Sequence, residues 1–130
     1  VSKGLRVFRE KNNSTYMHFF RNFTPEDYAR LINNAQCLVG NSSSGLREGA
    51  FLGVPCVNIG SRQRGRERAE NVLDVSYDSE QIYQAIKTQL SHSRYGQSFL
   101  VGDGSAGKRI ADILAKVDIN INKSLNYLGG

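Results

Sequence analysis

The chain has 130 residues, 39% hydrophobic and 22% charged, with 17 basic side chains against 12 acidic ones and a net charge of +5. That length sets one domain with a single core, which buries roughly two thirds of the unfolded chain's surface. No apolar run approaches the ~20 residues of a membrane span, and a chain opening on Val1 is expected to be cut from something longer.

Residues 1 to 16 carry no pattern that selects helix or strand. "MHFFRNF" (Met17 to Phe23) is rich in aromatics and reads as a strand. "TPEDYARLINNA" has the strongest helix start in the chain. Thr24 is the cap, Pro25 fits the first helical position, and Glu26 with Asp27 sit at the positive end of the dipole. Tyr28, Leu31, Ile32 and Ala35 then share one face. "QCLVG" lacks alternation, as a strand covered on both faces would. "GLREGAFLG" predicts a short helix closed by Gly53 and stopped by Pro55.

"PCVNIG" and "NVLDV" are the next strands. "SEQIYQAIKTQL" is an amphipathic helix capped by Asp78 or Ser79, with Ile82, Ile86 and Leu90 in register. "SAGKRIADILAKV" is a last helix with Ile110, Ile113, Leu114 and Val117 inward, and a loose polar tail is expected after Asp118. Strands alternating with helices predict an α/β fold, a Rossmann-like parallel sheet with helices on both faces. Ligands of such sheets bind outside the carboxyl ends of the strands. The loops after Phe23, Gly40 and Ile59 all leave such ends, so three candidate sites share one edge.

The middle loop is "GNSSSG". Amides at the start of the following helix carry partial positive charge, Ser42, Ser43 and Ser44 add hydroxyls, and Gly45 lets a ligand approach the backbone. Together they predict a phosphate cradle. One cap accounts for one serine; three favour a ligand. Glu48, on the first turns of that helix, is either an acceptor for sugar hydroxyls or a surface carboxylate favoured by the dipole.

The positive charge concentrates in "SRQRGRER", where Arg62, Arg64, Arg66 and Arg68 alternate. A local cluster suits a phosphate better than a nucleic-acid track, so neither nucleic acid nor membrane is an expected partner. Arg62 is best placed to grip a phosphate bidentately, while the others pair with Glu67, Glu70 or solvent. "GDGSAGKR" stops one residue short of a P-loop, because Arg109 replaces the hydroxyl that would hold magnesium. It reads as a turn and cap for the last helix.

Cys37 and Cys56 sit in apolar runs without CxxC spacing. They predict two buried free thiols in a reducing, cytoplasmic compartment, with a disulfide between neighbouring strands the alternative. His18 and His92 lack partner ligands, so no metal and no cofactor are expected. No set of acid and base residues stands out; the chain is equipped to hold a nucleotide rather than to do chemistry on it.

The run "GNSSSGLREGAFLGVPCVNIGSRQRGRERAENVL" (Gly40 to Leu73) resembles the nucleotide-binding segment of the UDP-N-acetylglucosamine 2-epimerases, closest to the hydrolysing branch of sialic-acid and nonulosonic-acid synthesis. "FRNFTPEDYARLINNAQCLVG" and "VGDGSAGKRIADIL" are similar to that family in kind and order, so the likeness covers roughly residues 17 to 117. It implies the carboxyl-terminal half of a GT-B architecture, spanning residues 1 to 130 as one UDP-binding domain with poorly defined ends at 1–16 and 118–130.

It also implies phosphate contacts from Ser42 and Ser43 completed by Ser44 and Gly45, ribose contact from Glu48, a phosphate-binding Arg62, and backbone near Asn22 and Phe23 against the uracil. Non-hydrolysing relatives often carry two consecutive glutamates where this chain has Glu48 and Gly49. The implied partners are a UDP-sugar substrate, the missing amino-terminal half-domain and further copies of the parent, with catalytic acid and base residues outside this chain. A GT-B glycosyltransferase donor domain and a basic RNA-binding module are the alternatives. The second would want aromatic residues near the arginines, and none occurs before Tyr77.

Overall fold

A computed structural model describes residues 2–12 and 15–118. The expectation for the tail after Asp118 lies outside the described residues. Three short strands, β1 (Leu38–Gly40), β2 (Cys56–Ile59) and β3 (Val72–Val75), form a parallel sheet in the order β1-β2-β3. Leu38 pairs with Cys56, and Cys56 in turn with Val72. All three strands and their alternation with helices match the sequence reading, and the architecture is a small Rossmann-like α/β sheet.

The helices are α1 (Ser2–Lys11), α2 (Pro25–Asn34), α3 (Glu48–Leu52), α4 (Ser79–His92) and α5 (Ala106–Leu114). Their ends obey local chemistry. Thr24 accepts the Asp27 amide at 3.2 Å and Asp78 accepts that of Gln81 at 2.9 Å, two side-chain caps. Gly53 ends α3 at φ 66°, a left-handed backbone that suits glycine. Where the sequence selected nothing, α1 forms with an Arg6–Glu10 pair one turn apart at 3.4 Å.

The core is smaller than the chain's length implies. Ile32, Leu46, Ala50, Val54, Cys56, Val57 and Ala85 are its buried apolar residues, all from α2 through α4. Central β2 is the most buried strand. Edge strand β1 is bonded on one side only and leaves Val39 48% exposed, so it is not covered on both faces.

Met17–Phe23 forms no strand. A strand needs a neighbour to receive its backbone bonds, and among the described residues Met17–Phe23 pairs with neither open edge of the sheet, β1 or β3. The aromatics of this segment pack among themselves instead. Phe20 lies 4.9 Å from Phe23, Phe23 stacks on Tyr28 at 6.2 Å, and Arg9 sits 4.6 Å above the Phe19 ring.

On α4 the inward positions are Ala85 and the amide of Gln89, while Leu90 is 48% exposed. On α5 the predicted inward face is outward: Ile110, Ile113, Leu114 and Val117 are all exposed, and no residue of α5 is buried. Its apolar periodicity is real, but nothing among the described residues covers it.

"GDGSAGKR" is a turn before α5, as read, and Asp103 organises it. The Asp103 carboxylate accepts the Ser105 amide at 2.9 Å, the Ser105 hydroxyl at 2.7 Å and the Arg109 guanidinium at 3.0 Å. The Ser105 bonds and then the Arg109 bond hold its pKa down at about 2, against an ordinary value of 3.8. A depressed carboxylate favours the folded turn above the unfolded pKa and loses that contribution as pH falls through the folded one. The turn is therefore expected to hold down to about pH 4 and to loosen between there and about pH 2. An NMR titration of the Asp103 carboxyl checks this, and an ordinary midpoint would contradict it.

Candidate functional site

From β1 the chain passes through Asn41 into one 3-10 turn, Ser43–Gly45. Ser42 caps it: its backbone is extended, and its Oγ accepts the Ser44 amide at 3.3 Å while donating to Ser44 Oγ at 3.2 Å. The Leu46 and Arg47 amides both donate to Ser43 O, at 3.1 and 3.0 Å. The serines thus head a tight turn of their own, and the five-residue α3 begins only at Glu48. Short hydroxyl side chains compete for nearby backbone groups, which breaks the expected single helix into two pieces.

Gly45 is buried, and packing against β2 requires a glycine there. A Cβ there would overlap Cys56 Sγ, so the turn sits against β2 only because residue 45 has no side chain. Gly49 repeats this one turn later, where a Cβ would lie 3.2 Å from Leu38 Cδ1.

Ser42, Ser44 and Gly45 line a cavity of about 210 Å³ with Tyr28, Gly40 and Asn41. Asn22 and Phe23 line a separate one of about 440 Å³, and Tyr28 belongs to both. The two segments are therefore brought side by side, although the first is not a strand end.

Arg62 arrives from the loop after β2. It is exposed, and its guanidinium lies 3.5 Å from the Asn41 side-chain oxygen, across 21 positions of sequence. Glu48 is exposed on the first turn of α3 and makes no hydrogen bond or ion pair among the described residues. It borders neither cavity. Ser43 is half-buried at the turn and also lines neither cavity.

The remaining arginines are disposed otherwise than expected. Arg68 pairs with Asp74 at 2.6 Å and donates to Gln63 O at 3.0 Å, rather than meeting Glu67 or Glu70. Partial burial pushes the Asp74 carboxyl up, but hydrogen bonds from Arg68 and Asn58 outweigh that and hold it below the ordinary range. Arg64 shares a cavity of about 470 Å³ with Arg68, Asp74 and Tyr77, so the tyrosine distant in sequence lies beside the arginines in space.

Sequence reasoning missed the polar residues beneath these loops. Gln63 is 3% exposed and donates to Asn41 O at 2.7 Å, locking the arginine loop onto the serine loop. Asn71, 2% exposed, donates to Gly45 O at 3.1 Å and to Val54 O at 2.7 Å. Gln89, fully buried, donates to Cys56 O at 2.8 Å and Asn71 O at 2.9 Å and accepts the Tyr95 hydroxyl at 2.7 Å. Their sequence neighbours gave no signal: Gln63 stands between Arg62 and Arg64, Asn71 between Glu70 and Val72, and Gln89 between Thr88 and Leu90.

Both cysteines are free, Cys56 buried and Cys37 half-buried. Burial, followed by the nearby Cys37 and Asp74, pushes the Cys56 thiol up to about 12, so it packs as an inert thiol. Among the described residues no group of three or more His, Cys, Asp or Glu could hold a metal ion, and no helix is long and apolar enough to cross a membrane.

A model of the family described as UDP-N-acetylglucosamine 2-epimerase matches residues 3–115. A hydrolysing UDP-N,N'-diacetylbacillosamine 2-epimerase of Legionella pneumophila is 32% identical over 104 residues, 78% of this chain and 28% of the relative. A hydrolysing GDP/UDP-N,N'-diacetylbacillosamine 2-epimerase of Campylobacter jejuni is 36% identical over 80 residues, 61% of this chain and 21% of the relative. A polysialic acid biosynthesis protein of Escherichia coli is 36% identical over 86 residues, 66% of this chain and 21% of the relative. The chain thus spans between 21% and 28% of the length of these relatives.

Proposed function

The chain belongs to the UDP-N-acetylglucosamine 2-epimerase family, and from that premise we propose that it is the nucleotide-holding part of a hydrolysing 2-epimerase acting on a UDP-linked amino sugar. In this reading the serine turn and Arg62 hold the diphosphate, Glu48 meets the ribose, and the backbone at Asn22 and Phe23 faces the base. The observation that carries it is the arrival of Arg62 beside Asn41, one residue from Ser42, with Gln63 fastening the two loops together.

The chemistry follows from that placement. When UDP leaves the sugar, the C1–O bond breaks, its electron pair goes to the diphosphate, and a proton leaves the sugar. Arg62 and the turn's donors would stabilise the charge that develops on the leaving group. The groups that move the proton and add water belong to the rest of the parent. The parent would supply an amino-terminal half-domain that completes the cleft, assemble from several copies, work in the cytoplasm, and need neither metal nor nucleic acid.

Calorimetric titration of the 130-residue chain with UDP, UMP, ADP and a short single-stranded RNA tests this. UDP is expected to bind more tightly than UMP or ADP. Arg62→Ala should weaken UDP about 10- to 100-fold, the worth of a charge-assisted bidentate contact. RNA binding that falls steeply with salt, without UDP binding, would replace this reading with a basic nucleic-acid module; Arg64 beside Tyr77 is the place it would use.

A further inference from the structure

The crossover from β1 to β2 carries Ser42–Gly45 near its start and α3 behind them, and both of its ends are fastened by one side chain. Asn71 gives one amide hydrogen to Gly45 O and the other to Val54 O, nine positions further on. Its own Oδ1 is buried without a partner. An amide kept in the core with its acceptor unpaired contributes through its donors, because an apolar side chain would avoid that cost. The position of Asn71 is set in turn by Gln89, whose amide hydrogens go to Asn71 O and Cys56 O. Tyr95 closes the chain of bonds: its hydroxyl donates to Gln89, and its backbone amide to Gly53 O at 2.9 Å, at the end of α3.

We propose that Asn71 is the positioning residue of the serine turn, with Gln89 and Tyr95 behind it, and that it sets the turn's geometry for a diphosphate. The proposal rests on the diphosphate site proposed above. Asn71 itself lines neither cavity of that site; it acts from beneath, through the Gly45 and Val54 carbonyls.

Hydrogen exchange and calorimetry on the 130-residue chain test it together, using Asn71→Asp, which keeps the shape but loses both donors, and Tyr95→Phe, which removes only the outermost hydroxyl. In Asn71→Asp the Leu46 and Arg47 amides should exchange about tenfold faster, while those of Val57 to Ile59 keep their rate. Affinities for UDP and inorganic pyrophosphate should fall about tenfold, with uridine unchanged, because only the phosphate-facing turn has moved. Tyr95→Phe should give the same selective pattern at smaller size.

Unchanged exchange at Leu46 and Arg47 would overturn the proposal, and so would equal losses for UDP and uridine. If the unaltered chain binds no UDP, the diphosphate site is wrong. The exchange data still decide whether Asn71 holds the turn.

Discussion

Gln89→Leu should lower the unfolding free energy by about 3 kcal/mol, with two or three buried polar groups left short of partners at ~1–3 kcal/mol each. The replacement keeps the size of the side chain and adds apolar surface, so a purely hydrophobic account predicts stabilisation. The structure predicts the opposite, because Gln89 is fully buried and satisfies three groups. Cys56 O and the Tyr95 hydroxyl lose that partner, and Asn71 O keeps only the Cys56 amide. Against a total stability of roughly 5–15 kcal/mol, that loss is large. Gln84, exposed one turn and a half earlier on α4 with its side-chain amide donating to Glu80 at 2.7 Å, is the control. Gln84→Leu should change stability by less than about 0.5 kcal/mol. Urea unfolding of the two variants checks both numbers, and equal midpoints would show that the buried amide is dispensable.

Gly45→Ala should cost about 1–3 kcal/mol and weaken UDP binding at the same time, by overpacking the contact between the serine turn and β2. The new methyl has nowhere to go but into Cys56 Sγ, and Cys56 is 3% exposed and fixed on the central strand. The turn must lift, and it carries Ser42 and Ser44 with it. The cause is specific enough to be reversed. Cys56→Ala removes the sulfur, leaving the two Cβ atoms 3.4 Å apart. The double variant Gly45→Ala/Cys56→Ala should therefore recover most of the loss, with a coupling of about 1–3 kcal/mol. Additive losses would place the fault in backbone conformation rather than in the sulfur contact. Because Cys56 keeps its proton at neutral pH, the effect should not vary with pH between 6 and 9.

The residues of the candidate site and those beneath it were unequally legible. Ser42, Ser43, Ser44, Gly45, Glu48 and Arg62 stand in two short runs whose composition is unusual for a connector, and chemistry alone marked them. Asn71 and Gln89 are ordinary residues in ordinary positions. Asn71 precedes a strand and Gln89 lies within an amphipathic helix; their partners are 26 and 18 positions away. No local pattern contains such a pairing.

By itself the sequence determined what acts over a few residues. It placed the helix caps at Thr24 and at Asp78 or Ser79, the stop at Gly53, the three strands that do form, and the parallel order that puts the serine and arginine loops on one edge. These follow from backbone preferences and from which groups at a helix end lack a bond. The tertiary structure alone decided what each element meets. Met17–Phe23 has the composition of a strand but packs its aromatics on one another and on Tyr28 instead of joining an open sheet edge, and α5 has an apolar stripe that nothing described covers. Arg68 turns to Asp74, six positions on, instead of its neighbours Glu67 and Glu70. A strand, a buried face and an ion pair each need a second surface, and the free energy of forming them depends on that surface as much as on the residues themselves.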